Sequence, residues 1–377
     1  MLPTLIGKTD PENYQRYLDQ KNEKVLQLFT GAGLEIPAPE IFPSPPEFYR
    51  MRCEFALYKD EDGIRFAMYV PGSKPKERIL LNEFRGAHQA INTGMAALQQ
   101  ALSGKHPLKP GLFETDFLCT QDCQLIISLD YHRKFDEAFV QELKKLRDTL
   151  RAGGLQVDLI ARARRQKILC DKEEVLETYH LKDKVCRLYQ VEGTFSQPNA
   201  ACCTHMLNFA RECAEGCKER DLLELYCGSG TFTTALADCF RQVLATEVAR
   251  VPTRTALKNL ALNGIANVKL CRLDAVETAQ ALSGVREFNR LTLNDINIRD
   301  YNFSTLLVDP PRCGIGDPDA LSFDARFERI IYISCGPQSL CEDLKILTKT
   351  HRIERLAFFD QFPYTDHIES GVLLSRR

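Results

Sequence analysis

In the second half of the chain, short apolar runs recur at 221–226, 242–247, 267–271, 304–309, 329–334, 352–359 and 370–376, most of them separated by stretches of helical spacing. Strands alternating with helices are the pattern of a parallel α/β sheet. The last two runs are joined by a turn-rich loop instead of a helix, so they are expected to pair antiparallel at one end of that sheet. The first half reads differently. Residues 11–31 have helical spacing, with Asp10 as N-cap, Pro11 at the first helical position and Gly31 as a stop. A proline-rich link, 36–46, follows. The runs 49–58 and 64–70 flank a Lys-Asp-Glu-Asp-Gly turn, which is a hairpin signal. Further strands are predicted at 114–120, 124–131, 156–162 and 166–170, and helices near 82–103 and 134–152. This half therefore reads as an α+β domain with an antiparallel sheet, and the chain divides into 1–190 and 191–377.

Composition narrows the class. The chain has 377 residues, 44% of them hydrophobic, enough for a packed core and in keeping with two domains. No apolar run reaches the roughly 18 residues of a membrane span. The start, Met-Leu-Pro-Thr-Leu-Ile-Gly-Lys, lacks the basic opening, continuous apolar stretch and small-residue cleavage site of a secretory signal, so a cytoplasmic protein is expected. The 15 cysteines are odd in number and scattered through strand and helix patterns, which favours free, buried thiols. No Cys-x-x-Cys pair or His-rich set accompanies them, so neither a metal nor an iron–sulfur cluster is expected. A net charge of −2 gives no broad basic field. A local patch remains: between Arg151 and Cys170 the bases Arg151, Arg162, Arg164, Arg165 and Lys167 face the lone acid Asp158. Arg50 and Arg52, and Lys74, Lys76 and Arg78, form smaller groups.

Three strand ends carry chemistry. In Tyr226-Cys-Gly-Ser-Gly-Thr-Phe a glycine turn follows a strand and opens a helix, where backbone can approach a ligand closely. Thr233 stands where a third dinucleotide-binding glycine would fall, and the strand 243–247 ends in Glu247, suited to ribose hydroxyls. A nucleoside-containing cofactor is indicated, and S-adenosylmethionine fits better than NAD. Asp309-Pro-Pro-Arg312 is similar to the (Asp/Asn)-Pro-Pro-aromatic loop of amino methyltransferases, with Arg in place of the aromatic. A guanidinium holds a carbonyl or phosphate by directed hydrogen bonds, which suits a uracil ring better than an exocyclic amine. Finally, Arg329-Ile-Ile-Tyr-Ile-Ser-Cys335 delivers one thiol to a strand end. Carbon 5 of uracil is a poor nucleophile, so its alkylation requires a thiolate at carbon 6 and afterwards a base for the carbon 5 proton. Cys335 supplies the thiol, and Glu369, just before the final strand, supplies the base. Two rivals stand beside this reading. One is a base or protein N-methyltransferase, which needs neither Cys335 nor Glu369; the other is an RNA-binding protein without catalysis, in which the nucleophile or base would be replaced.

The chain resembles the RNA 5-methyluridine methyltransferase family, in particular its tRNA (uracil-5-)-methyltransferase branch, along nearly its whole length. The segments that carry the resemblance are Tyr49-Arg-Met-Arg-Cys-Glu-Phe, Phe195-Ser-Gln-Pro-Asn-Ala, Asp221-Leu-Leu-Glu-Leu-Tyr-Cys-Gly, Val285-Arg-Glu-Phe-Asn-Arg, Val308-Asp-Pro-Pro-Arg, Tyr332-Ile-Ser-Cys and Phe359-Asp-Gln-Phe-Pro-Tyr-Thr-Asp-His-Ile-Glu. The resemblance implies a seven-stranded Rossmann-like methyltransferase domain behind an N-terminal RNA-recognition domain. It implies that Cys335 is the nucleophile and Glu369 the proton acceptor, with Gln197, Tyr226, Glu247 and Asp309 on S-adenosylmethionine. Its substrate would be the T-loop uridine of tRNA at position 54, with transfer-messenger RNA as a second target, bound by a monomer. Phe113 matches an aromatic that engages the RNA, as base stacking requires. Two positions depart from the pattern: Thr231 stands where the family has Asn as a cofactor contact, and Gly336 replaces the Asn after the nucleophile. The N-terminal barrel and four cluster-binding cysteines of relatives acting on ribosomal RNA are missing, which favours tRNA.

Overall fold

The computed structural model describes residues 5–316 and 326–377. Met1–Thr4, part of the stretch on which the leader expectation rests, lie outside the described residues.

Helix α1 (Tyr14–Gly31) is followed by a short strand, β1 (Glu40–Phe42), and then by β2 (Arg52–Lys59), β3 (Ile64–Tyr69) and β4 (Arg78–Leu81). Helix α2 (Gln89–Ala101), strands β5 (Leu112–Cys119) and β6 (Leu125–Tyr131), helix α3 (Glu137–Ala152), and strands β7 (Val157–Ala163) and β8 (Gln166–Leu169) complete a sheet of order β4-β3-β2-β5-β6-β7-β8. Its apolar face, including Phe55, Phe66, Phe117 and Ile127, packs on Met95, Leu98, Leu143 and Leu146 of the two helices. The expected antiparallel pairing holds for every neighbour except β6 and β7, which run parallel. The reason is α3: a helix between two strands carries the chain back to the same end, whereas a hairpin reverses it. A hairpin of β9 (Glu174–His180) and β10 (Val185–Val191) covers part of the opposite face, with Val175 against Leu118, Ile126 and Ile160.

The second half contains α4 (Ala200–Cys213), β11 (Asp221–Leu225), α5 (Thr231–Leu236), β12 (Gln242–Thr246), α6 (Arg250–Leu262), β13 (Val268–Cys271), α7 (Ala275–Ser283), α8 (Asn289–Leu293), β14 (Phe303–Val308), β15 (Arg329–Ser334), α9 (Pro337–Leu347), β16 (His351–Phe359) and β17 (Glu369–Arg376). All seven expected strands form, and β11 to β15 are parallel. Strand β17 inserts antiparallel between β15 and β16, as the missing helix before it requires. The sheet has an eighth strand, because β1 pairs parallel with β16. That strand lies within the segment expected to be only a proline-rich link; three residues among prolines carry too little periodicity to be read as a strand. Helix α1 also belongs with this sheet, burying Val25 and Phe29 with Leu340, Leu344 and Phe358. Asp10 stands at the start of the helical segment but makes no cap bond to backbone; its carboxylate accepts from Asn13 Nδ2 and Tyr17 Oη.

Strand order reverses between β11 and β14. From β11 the chain proceeds outward through β12 and β13, then crosses to β14 and β15 on the other side. Ligands of open α/β sheets bind at the carboxyl ends beside such a switch point.

Candidate active site

The turn after β11 is built for close approach. Tyr226 has φ 59°, Gly228 φ 53° and Gly230 φ 78°, so three residues occupy the left-handed region. Only glycine does so at little cost, and a non-glycine residue held there marks a site where surrounding structure supports strain. A Cβ on Gly230 would also lie 3.2 Å from Ala256 Cβ. Glu247 follows β12 directly and accepts from Gly228 N at 3.1 Å through Oε2 and from Ala249 N at 2.8 Å through Oε1, so it fixes the turn while further lone pairs stay available. Thr231 is the first residue of α5, immediately beyond the turn. Glu224, near the end of β11, is 2% exposed, and its Oε2 has no hydrogen-bond partner among the described residues. Burial pushes its carboxyl up to about 8. In the sequence Glu224 shows only as a single acid inside the otherwise apolar Leu-Leu-Glu-Leu run.

Asp309 directly follows β14, and burial raises its carboxyl to about 7. The loop beyond it is pinned by Asp343 of α9, whose Oδ2 accepts from Ile315 N at 3.0 Å and from Tyr332 Oη at 2.5 Å. Arg312 is exposed on this loop.

Cys335 directly follows β15 and is half-buried; Glu369 opens β17 and is 5% exposed. Ser334 pairs with Ser370 in the β15–β17 ladder, so Cys335 and Glu369 stand one residue beyond that rung, on opposite strands. Burial, then the charges of Glu369 and Asp309, push the Cys335 thiol up to about 11, while Arg312 acts in the opposite sense. Burial and Asp309 raise Glu369 to about 8, again against Arg312. The structure thus brings Cys335, Glu369, Asp309 and Arg312 into one electrostatic group. A Cβ on Gly336 would lie 2.7 Å from the backbone O of Arg312, so the turn carrying Cys335 and the Asp309–Arg312 loop are in close contact.

Gln197 is 7% exposed on the segment before α4, and its Oε1 accepts from Gln361 Nε2 at 2.8 Å. Gln361 lies on the loop leading to Glu369, a connection with no sequence signature.

Phe113 is elsewhere, on the N-terminal sheet. It stacks on His132, centroids 3.9 Å apart and planes 4° from parallel, beside a groove of about 1280 Å³ bordered by Arg133, Lys134, Arg164 and Arg165. His132 was missed because stacking partners on neighbouring strands leave no spacing rule. The basic patch is also smaller than expected. Arg162 pairs with Asp116, Asp130 and Glu192, Arg151 with Asp158 and Asp171, and Lys167 with Glu173. Acids of neighbouring strands and of the loop after β8 pair with them, and Arg164 and Arg165 remain exposed at the groove.

A model of the tRNA (Uracil-5-)-methyltransferase family matches residues 13–377. The chain belongs to that family. Among relatives, a tRNA/tmRNA (uracil-C(5))-methyltransferase of Serratia proteamaculans is 45% identical over 370 residues, covering 97% of this chain and 99% of the relative. One of the same name from Photobacterium profundum is 41% identical over 364 residues, 97% of each chain. Among solved structures, the Pyrococcus abyssi tRNA (uracil-54, C5)-methyltransferase in complex with S-adenosyl-L-homocysteine superposes with a TM-score of 0.71 at 19% identity, covering 96% of this chain and 83% of that one. That likeness establishes for this family member the two-part α/β fold.

Proposed function

We propose that this chain transfers a methyl group from S-adenosylmethionine to carbon 5 of uracil in tRNA, at the T-loop uridine 54, and in the equivalent loop of transfer-messenger RNA. Family membership and the names of its relatives support the reaction and the substrate class. The observation that carries the mechanism is the placement of Cys335 and Glu369 across the end of the β15–β17 ladder, beside Asp309 and Arg312.

The crevice fits the methyl donor. The left-handed turn 226–230 leaves room for backbone contact, Glu247 offers acceptors to a ribose, and the unpartnered, buried Oε2 of Glu224 sits at the same strand end. In this reading Tyr226, Thr231, Glu247, Asp309 and Gln197 hold S-adenosylmethionine, which when bound supplies an electrophilic methyl group. Cys335, as thiolate, adds to uracil carbon 6, and the displaced electron pair makes carbon 5 nucleophilic toward that methyl group. Glu369 then takes the carbon 5 proton; the C–H pair restores the 5,6 double bond, and the carbon–sulfur bond breaks to return the thiolate. Arg312 favours the thiolate, and in this reading its guanidinium holds a uracil carbonyl.

The target base must leave its loop to reach the crevice, at a cost of a few kcal/mol that contacts to the splayed loop offset. We assign those contacts to the domain within 1–190, chiefly the Phe113–His132 stack and the Arg164 and Arg165 rim. Helix α1 and strand β1, although they precede residue 190, pack with the second sheet. The reading takes the enzyme as a cytoplasmic monomer; among the described residues no helix is long and apolar enough to cross a membrane.

Incubation with unmodified tRNA and methyl-labelled S-adenosylmethionine, followed by nucleoside analysis, tests the proposal. Labelled 5-methyluridine is expected with the wild type and not with Cys335→Ala. Absence of product from the wild type, or undiminished product from the variant, overturns it. With 5-fluorouridine tRNA there is no carbon 5 proton to remove, so a stable adduct at Cys335 is expected.

A further inference from the structure

The loop 360–368 joins β16 to β17 and delivers Glu369 to the ladder. Its first residues are held by a buried charge from α1. Lys21 of α1 is 2% exposed and places Nζ 2.5 Å from Asp360 Oδ1 and 2.9 Å from the backbone O of Phe362. Tyr14 Oη donates to Asp360 Oδ2 at 2.8 Å and accepts from Ser44 N at 2.7 Å. The Tyr14 and Tyr17 rings meet Tyr364 edge-on at 6.0 and 5.7 Å, and Tyr364 Oη donates to the backbone O of Pro46 at 2.8 Å. Between Asp360 and Phe362, Gln361 reaches Gln197 at 2.8 Å.

The side chains of Lys21 and Asp360 are both 1% exposed. Removing two such charges from water is expensive, and a well-packed apolar pair is often as stable or more so, so stability alone is a weak reason for this pair. Geometry is a better one. The single ammonium fixes both a side chain and a backbone carbonyl of the loop, while register ties Glu369 to Phe359, next to Asp360.

We propose that Lys21 is a positioning residue for proton abstraction: through Asp360 and Phe362 it sets the loop that aims Glu369 at carbon 5, and through Gln361 it sets Gln197. The proposal rests on the reading of Glu369 as the base. Its consequence is specific to one step. After methyl transfer, carbon 5 carries both the methyl group and the proton, and the uracil is still bonded to Cys335 through carbon 6. A displaced Glu369 removes that proton slowly, so the carbon–sulfur bond persists and methylated adduct accumulates. A merely structural role would reduce the active fraction and leave the balance between adduct and product unchanged.

Lys21→Met alone would strand the Asp360 charge, so the test uses the double variant Lys21→Met/Asp360→Asn, with Lys21→Arg as the conservative variant and Glu369→Gln as reference. Thermal midpoints report folding; turnover, the KM for tRNA and the fraction of SDS-stable, methyl-labelled protein–tRNA adduct report the steps. The folded double variant is expected to turn over about tenfold or more slowly, since small misplacements of reacting groups have effects of that size. The KM is expected to move less than the turnover, the labelled adduct to rise as in Glu369→Gln, and Lys21→Arg to restore part of the turnover. Wild-type turnover, or slow turnover without labelled adduct, overturns the proposal. If the double variant does not fold, Tyr14→Phe, which removes a single bond to Asp360, takes its place with the same outcomes. No labelled adduct in Glu369→Gln itself refutes the assignment of the base, and this inference with it. Adduct there but none in the folded loop variants refutes this inference alone.

Discussion

Cys335 and Glu369, 34 residues apart in sequence, stand one residue beyond the Ser334–Ser370 rung at the ends of two antiparallel strands. Residues opposite one another in such a ladder have Cβ atoms about 5 Å apart. In the proposed reaction that register would let one uracil meet both the thiol and the carboxylate, and the nearby Glu369 charge raises the affinity of the Cys335 thiol for its proton.

The pH dependence follows from the burial of both groups and the acids around them. In the proposed mechanism Glu369 and Cys335 both act deprotonated, and their values are raised, to about 8 and about 11. Raising the pKa of an acid lowers the reactive fraction at a given pH, so turnover is expected to climb between pH 6.5 and 9. Initial rates over that range, with substrate and enzyme stability checked at each point, would show it; a profile flat from about pH 6 upward is incompatible with it. Arg312→Gln removes the charge that favours the thiolate and should shift the thiol-dependent limb to higher pH.

Gly336 has φ near −127°, so its role is space and not backbone freedom. An added Cβ would lie 2.7 Å from both Arg312 O and Ser339 Oγ. Gly336→Ala is expected to cost about 1–3 kcal/mol, the usual range for overpacking. It should also lower turnover, because the thiol turn and the Asp309–Arg312 loop must separate. Thermal melting and steady-state rates with both substrates test this, and a variant matching the wild type in both would remove the argument.

Glu224 carries a stability cost. Its folded value, about 8, lies above the ordinary 4.5, so the folded state binds the proton more tightly than the unfolded chain. Stability from this group is therefore complete below about pH 4.5 and is lost as pH rises through about 8. Glu224→Gln should raise the melting temperature more at pH 9 than at pH 6, while weakening S-adenosylmethionine binding measured by calorimetry. A melting difference independent of pH would contradict the account.

For the groove, Phe113→Ala is expected to weaken tRNA binding by about 1–3 kcal/mol, the worth of one base stack, with turnover at saturation less affected. Arg164→Gln and Arg165→Gln should each lower the slope of log affinity against log salt by about one. Arg162→Gln should not behave this way, because its charge is already shared among Asp116, Asp130 and Glu192. A salt slope unchanged by the first two substitutions would place the RNA elsewhere.

The regular elements were legible where periodicity was long. The catalytic strands announce themselves as apolar runs ending in Glu247, Asp309 and Cys335, and all of them form. Strand β1 was not legible, because three residues hemmed by prolines have no period to read, and its partner β16 is more than 300 residues away. The parallel step from β6 to β7 escaped the expectation of an antiparallel sheet although its cause, α3, was anticipated.

By itself the sequence determined which chemical groups exist and at which strand ends they fall: a thiol, an acid, a glycine turn and an Asp-Pro-Pro-Arg loop, each fixed by local pattern and covalent order. Only the tertiary structure decided which of them meet. It paired Arg162 with acids of other strands and Arg151 and Lys167 with acids of β7 and the loop after β8, so that of the five clustered bases only Arg164 and Arg165 have no ion pair among the described residues; it also paired Phe113 with His132 and tied Lys21 to the loop of Glu369. Those outcomes depend on strand register and on contacts between segments far apart in sequence, and electrostatic interactions act through space without regard to chain order.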